Sequence, residues 1–384
     1  MLPPADLLAS RHLTVRRALE TLGLVRLLVT RLPNVRWLTG FDGSSGEVLI
    51  EPDRVVLIVD GRYVESAEAL ACHAGDVIRV ERVEQTHDET LATLIAGSTA
   101  PVGFEAADLS VARHLWFQAS LTGRGWDAGR LRPTADVVES GRIVKDSWEL
   151  DLLREGGARL SAVTLGVLAD LRPGVTETSV AQAVEAGLRR AGFDGPAFDT
   201  IVASGPRAAL PHGRASGRPI GRGELVVLDL GGIYGGYCVD LTRTIALGDP
   251  GPDARAWHAA VLEAQSAAIA AVAPGRTPHD IDRAARQVLD THGLGPRFTH
   301  GTGHGLGLEV HEAPRVGPPR TDAAGVPMTG TARLPDHLVP GMVFTIEPGV
   351  YVPGRGGVRI EDDVLVTVSG VEVLTNVPRT LVLD

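Results

Sequence analysis

The chain has 384 residues, 44% hydrophobic and 22% charged, with 46 Gly and 25 Pro. That is a globular composition with room for two unequal domains and a large core, and it excludes a mainly disordered chain. A formal net charge of −10 gives no electrostatic footing for nucleic acid or an anionic membrane as partner.

Two cysteines, Cys72 and Cys238, are too few for a disulfide framework and read as reduced thiols. The opening Met1-Leu2-Pro3-Pro4 lacks the basic and apolar regions of a signal peptide, and no run reaches membrane-span length. A cytoplasmic location is expected.

In chain order, residues 10–30 read as a helix followed by a strand. Asn34–Phe41, Val48–Ile50 and Val55–Val59 are short apolar runs separated by Gly, Ser and Pro, the pattern of a β-meander. Asp60-Gly61-Arg62-Tyr63 ends that run, and a helix is predicted over 64–72. A second strand-like set and the Ala-rich stretch near 105–120 complete a mixed α/β unit.

A boundary is expected between Pro133 and Ser147. Ser147 then reads as the N-cap of a long helix carrying Leu150, Leu153, Leu160, Val163 and Val167, which stops at Pro173-Gly174. Val180, Ala183, Val184 and Leu188 share a face of a helix over 177–191, with Gly192 at its C-terminal end. Further helices are predicted at 253–272 and 278–292. The order helix, helix, hairpin, then helix, helix, strands hints at two related halves within an α/β (α+β) chain.

The stretch Glu224–Thr244 reads as two apolar strands joined by a Gly-rich turn, each holding one aspartate among hydrophobes. Alternation puts Leu228 and Leu230 on one face and Val227 with Asp229 on the other, and folding the turn back brings Asp240 near Asp229. Two carboxylates so placed repel each other and lose hydration, and persist with a proton or a cation between them. A metal pair is the simplest account; ordinary turn and strand-end roles are the competing one on this stretch alone.

Downstream segments supply partners. His300-Gly301-Thr302-Gly303-His304-Gly305-Leu306-Gly307 sets two imidazoles in a Gly-dense, non-helical segment, and the HExxH zinc signature is absent. Phe344–Gly349 and Val358–Asp363 again place Glu347 and Glu361 in or beside strand-like runs. Four carboxylates and one histidine make a hard donor set that favours Mn²⁺ or Co²⁺ over a thiolate-type zinc site. Such a set can hold two ions about 3.5 to 4 Å apart, which makes metal-assisted hydrolysis the expected reaction class.

The order Asp229, Asp240, His304, Glu347, Glu361, set in Asp-Leu-Gly-Gly, Asp-Leu-Thr-Arg-Thr, Gly-His-Gly-Leu-Gly-Leu-Glu-Val-His-Glu and Ile-Glu-Pro-Gly-Val-Tyr, resembles the pita-bread metallopeptidases. Within them it is most similar to the proline-specific branch, Xaa-Pro aminopeptidase and Xaa-Pro dipeptidase (prolidase). Leu38-Thr39-Gly40-Phe41 and Asp60-Gly61-Arg62-Tyr63 extend the resemblance to the amino-terminal domain of those enzymes.

The resemblance implies a creatinase/prolidase-like domain over 1–135 and a pita-bread catalytic domain with pseudo-twofold halves over 136–384. It implies two divalent ions, Mn²⁺ first with Co²⁺ or Zn²⁺ as the other candidates. Asp240 and Glu361 would bridge them, Asp229 completing one ion and His304 with Glu347 the other. Glu347 would also take a proton from the bridging hydroxide's parent water. His212 and His311 would steady the tetrahedral intermediate or bind substrate, and His300, Tyr351 and Arg359 would line the substrate pocket.

The activity so implied is removal of the amino-terminal residue from peptides with proline second, with dipeptide-restricted cleavage as the alternative and a non-catalytic binding module as a remote one. An Xaa-Pro bond is a tertiary amide without an N–H, so a metal pair that polarises the carbonyl suits it. A homodimer is implied too, with Arg62 and the helix after it as candidates for a rim of the partner's site.

Neighbouring branches fit less well. Methionine aminopeptidases lack a full amino-terminal domain and space their glutamates further apart, creatinase does without metal, and binding modules lose donors that are all present here. The chain departs from the proline-specific pattern at Arg207, commonly Asn, at Val239, often small and polar, and in the Gly-, Pro- and Thr-rich stretch Val316–His337. That stretch reads as a solvated surface loop, with closure over the site as a second reading.

Overall fold

A computed structural model describes residues 1–318, 332 and 334–383. Most of the expected loop at 316–337 therefore lies outside the described residues. Met1–Arg142 belong to one compact unit, and residues 143–318 with 335–383 to a second.

The first unit contains strands β1 (Arg26–Val29), β2 (Glu47–Ile50), β3 (Val55–Val59), β4 (Ile78–Arg82), β5 (Val102–Glu105) and β6 (Leu131–Thr134). They form one sheet in the order β4-β3-β2-β1-β5-β6, antiparallel across β1–β2 and β2–β3 and parallel elsewhere. Helices α1 (Ala5–Thr21), α2 (Leu32–Thr39), α3 (Val64–Ala74), α4 (His87–Ala96), α5 (Val111–Gly123) and α6 (Glu139–Arg142) connect and cover it. Leu28, Leu49, Ile58 and Phe104 of the sheet share a core with Leu91, Ile95, Phe117 and Leu121 of α4 and α5.

The expected strand at Asn34–Phe41 is a helix, α2. Pro33 lies in its first turn, and Gly40 ends it at φ 80° by donating to the Arg36 carbonyl. Its amino end is stabilised from a distance: the Glu105 carboxylate accepts the Thr30 and Arg31 N–H groups at 2.7 and 2.8 Å. That partner is invisible in the local pattern.

The second unit opens with α7 (Ser147–Asp170) and α8 (Glu177–Arg190). The N-cap of α7 is Asp146, one residue before the expected Ser147, because Asp146 and Glu149 form a reciprocal capping box at 3.0 Å in each direction. Strands β7 (Gly195–Pro196), β8 (Ile201–Ser204), β9 (Leu225–Tyr234) and β10 (Tyr237–Leu247) follow, then α9 (Pro252–Ala271) and α10 (Pro278–Thr291). The chain closes with β11 (Gly303–Gly305), β12 (Glu312–Val316), β13 (Val343–Ile346), β14 (Gly349–Val352), β15 (Gly356–Arg359), β16 (Asp362–Thr367), β17 (Gly370–Val373) and β18 (Val382–Leu383).

One sheet runs β18-β10-β9-β7 with β8 also on β9; another runs β12-β11-β13-β16-β17; β14 and β15 pair alone. Gly235 and Gly236 join β9 to β10 with φ of 56° and 88°, the left-handed values a two-residue hairpin turn requires. Val226, Leu228 and Leu230 share a core with Leu153, Leu160 and Val184 of α7 and α8. Val227, Phe344, Val350 and Val364 share another with Val261, Ala264, Ile281 and Leu289 of α9 and α10. Two helix pairs thus cover the strands, and the polar residues between the two cores face the site.

Candidate active site

The hairpin pairs Asp229 with Thr242 and Asp240 with Gly231, so both aspartates project from the same face of neighbouring strands. The stretch between β15 and β16 meets that face: Glu361 N–H donates to the Thr242 carbonyl at 3.0 Å, and Thr242 Oγ1 donates to Glu361 Oε2 at 2.5 Å. Behind them Asp363 Oδ2 accepts the Asp240 N–H at 2.9 Å.

His304 sits on β11 between two glycines that close packing requires. A Cβ on Gly303 would come within 1.9 Å of the Thr345 carbonyl, and one on Gly305 within 2.1 Å of the Ala313 carbonyl. His304 Nδ1 lies 3.1 Å from the Gly305 carbonyl, which leaves Nε2 facing Glu347 Oε1 at 3.5 Å. Glu347 follows β13, its N–H donating to the Thr302 carbonyl at 2.7 Å.

Ligand atoms of Asp240, His304 and Glu361 lie within 4.8 Å of one another. Among the described residues, the buried carboxylate oxygens that lack a hydrogen-bond partner are Asp229 Oδ1, Asp240 Oδ1, Glu361 Oε1 and Asp363 Oδ1. Buried acceptors are ordinarily filled, so the unfilled oxygens of Asp229, Asp240 and Glu361, which line one cavity with His304, fit divalent cations. The electrostatics agree. Burial, then Glu361, Asp229, Asp363 and Glu347, hold the Asp240 carboxyl well above the ordinary range; burial, then Glu347 and Asp229, do the same to Glu361. Glu347 is raised to about 7, chiefly by burial. The cluster needs positive charge in its middle to ionise fully.

Arg359 supplies some at the edge. Its Nη2 donates to Asp229 Oδ2 at 2.5 Å, Nε to Thr242 Oγ1 at 3.2 Å, and Nη1 to Tyr351 Oη at 2.9 Å and to the Pro211 carbonyl at 3.1 Å. Burial alone would lower this guanidinium, but Tyr351, Asp229, Glu347 and Glu361 outweigh it and hold it well above its usual value. Tyr351 Oη lies 2.9 Å from His300 Nε2. Burial lowers His300 and His304 to about 4, so both are neutral imidazoles at neutral pH. His311, lowered by burial and then by His212, packs its ring 4.2 Å from that of His304.

A cavity of about 680 Å³ gathers Asp229, Asp240, His304, Glu347, Glu361, His212, His300, His311 and Arg359. Tyr351 contacts this set through Arg359 and His300 rather than lining the cavity. The cavity also has Phe198, Ile201, Arg214 and Arg315 in its wall, none of them singled out by the sequence reading. Arginines in exposed stretches carry no local signal. Thr242 had one, standing two residues after Asp240 on the same strand face.

Residues 151–368 match metallopeptidase family M24, and residues 11–144 match the creatinase/prolidase N-terminal domain. The chain belongs to family M24. Its architecture is accordingly a creatinase-type amino-terminal domain followed by a pita-bread catalytic domain. Among M24 relatives it is 34% identical to an Xaa-Pro dipeptidase of Pyrococcus horikoshii, over 93% of this chain and 94% of that one. The Xaa-Pro dipeptidase structure from Bacillus anthracis superposes with a TM-score of 0.88 at 35% identity, covering 98% of this chain and 100% of its own. The X-Pro aminopeptidase structure from Thermotoga maritima gives 0.80 at 31% identity, over 96% and 100%. The M24 backbone is thus shared by both activities.

Proposed function

We propose that this M24 metallopeptidase is an Xaa-Pro dipeptidase. The sequence reading put the aminopeptidase first; relatives named as dipeptidases support the reverse order. The observation that carries the proposal is the cavity wall that joins the carboxylate cluster to exposed Arg315. A dipeptide ends in a free carboxylate one residue beyond the scissile bond, and an arginine there matches it.

Asp229, Asp240, His304, Glu347 and Glu361 would hold divalent metal, with Mn²⁺ ahead of Co²⁺ or Zn²⁺ for this oxygen-rich set. Bound ions supply Lewis acidity at the scissile carbonyl and lower the pKa of the attacking water. Glu347 would accept a proton from the attacking water and pass it to the proline nitrogen as the C–N bond breaks. His212 and His311 donate to the oxygen that becomes negative in the tetrahedral state. Arg359 and Tyr351 fix the orientation of Asp229 and His300.

A homodimer belongs to the same proposal and is read by sedimentation. Among the described residues no helix is long and apolar enough to cross a membrane. The deciding test is hydrolysis of an Xaa-Pro dipeptide against an Xaa-Pro-Xaa tripeptide with added Mn²⁺ and a chelated control. Metal-dependent preference for the dipeptide is expected. Preference for the tripeptide would restore the aminopeptidase, and cleavage of neither by metal-loaded protein would leave a binding module.

A further inference from the structure

Glu177 begins α8 and is fully buried, yet it lies outside the metal cluster. Its Oε1 accepts the Ser204 N–H and hydroxyl, both at 2.8 Å. Its Oε2 accepts the Ser216 N–H at 3.0 Å, the Ser216 hydroxyl at 2.6 Å and Arg207 Nε at 3.2 Å. One carboxylate therefore ties together the two ends of the segment running from β8 to Ser216. Its own backbone is rigid, because Thr176 caps α8 through the Ser179 N–H and Glu177 N–H donates to the Arg218 carbonyl.

That segment carries Pro211, His212 and Arg214, all in the cavity wall. Its far side is tied to the metal cluster, since Arg359 Nη1 donates to the Pro211 carbonyl while Nη2 of the same guanidinium holds Asp229. The loop is thus suspended between Glu177 and Arg359. Burial of Glu177 opposes ionisation, but the Ser216 and Ser204 hydroxyls, the Ser204 amide and Arg207 prevail and hold it below the usual carboxylate range.

We propose that Glu177 is a positioning residue: by closing the 204–216 segment onto the end of α8, it sets where His212 meets the substrate. The substrate named in its test rests on the dipeptidase reading. Thr178 N–H on the Ser216 carbonyl, Arg218 Nη1 on Ser204 Oγ and Arg207 Nη2 on the Arg214 carbonyl also hold this segment, but Glu177 is the side chain that accepts from both Ser204 and Ser216. Arg207, a departure from the family pattern, contributes one of the five donors.

The experiment compares Glu177→Gln in wild-type and His212→Ala backgrounds, with metal content measured for each protein. In the wild-type background kcat/KM for an Xaa-Pro dipeptide falls by about 10-fold or more with metal content unchanged, the scale of loss for a misplaced catalytic group. In the His212→Ala background the same substitution costs less than about 3-fold, because the effect passes through His212. Equal losses in the two backgrounds, or unchanged kinetics in the first, overturn the proposal. Ser216→Ala, which removes one hydroxyl donor, gives a smaller loss in the same direction and covers the case of a poorly folding Glu177 variant. A second readout needs no turnover: the rate at which diethyl pyrocarbonate modifies His212, mapped by mass, changes in Glu177→Gln while that of His311 does not. If wild-type enzyme cleaves neither peptide, the dipeptidase reading fails and this labelling alone decides; an unchanged His212 rate then overturns the positioning role.

Discussion

In the amino-terminal unit, Glu105 is buried with its oxygens filled: Oε1 takes Asn34 Nδ2 at 2.5 Å and Oε2 takes two backbone N–H groups of the α2 entry. In the second unit, Asp229, Asp240 and Glu361 are equally buried, and each keeps one oxygen with no donor. Both arrangements bury anions at a cost that polar partners must offset. Glu105 meets part of that cost inside the chain, through hydrogen bonds on both oxygens, and stabilises a helix entry. The cluster does not, so its free energy is lowered by a cation from outside. Burial of a carboxylate alone does not mark a site; several unfilled carboxylate oxygens gathered on one cavity beside a histidine do.

The sharpest way to break this contrast is Asp240→Asn. It should abolish tight metal binding and lower kcat/KM by more than about 10²-fold, beyond the loss typical of outer-shell changes. In chelated protein the same substitution should raise Tm, since it removes one member of a repelling set. Full turnover, read beside metal content by elemental analysis, would sink the dinuclear assignment.

His311→Ala comes next. It should leave metal content unchanged and cut kcat by about 10²-fold if the imidazole acts on the tetrahedral state. Unchanged kinetics would reduce His311 to packing against His304. Arg315→Ala should raise KM for an Xaa-Pro dipeptide by about 10-fold, the worth of one charge-assisted contact, while leaving a carboxyl-amidated substrate unaffected. An equal change for both substrates would remove Arg315 from carboxylate recognition.

Glu105→Gln tests the filled side of the comparison and has the smallest effect. It should destabilise the amino-terminal unit by about 1 to 3 kcal/mol, because an amide nitrogen then faces donors, with metal content unchanged. Burial, against hydrogen bonds from Arg31, Asn34 and Thr30, raises Glu105 from 4.5 to about 7. Between those values the folded unit keeps a proton that the unfolded chain has released. Its contribution is therefore full below pH 4.5 and is lost as pH rises through about 7. Urea midpoints should fall across that window and flatten in Glu105→Gln; a slope that persists would assign it to other groups.

Legibility followed the range of the interactions. Asp229, Asp240, His304, Glu347 and Glu361 stood out because each is a polar donor in an apolar strand or beside glycines, an anomaly visible within a few residues. The helices α7 to α10 were readable for the same reason, their apolar periodicity and Gly or Pro ends being local. α2 was not, since a short segment with Trp37 and Leu38 fits a strand or a helix until Glu105 supplies its distant cap. Glu177 looked like an ordinary acidic residue in a first helical turn, and the serines it joins are 12 residues apart in sequence but adjacent in space.

By itself the sequence determined the donor set, the family it resembles and the order of the main helices and hairpin, because residue type and short spacings carry that chemistry. Tertiary structure alone decided which oxygens stay unfilled, that Arg359 links Asp229 to the Pro211 loop, and that Arg214 and Arg315 share the cavity wall. Those properties depend on contacts between segments more than a hundred residues apart, such as Thr242 with Glu361, which packing of the two helix-covered strand sets brings together.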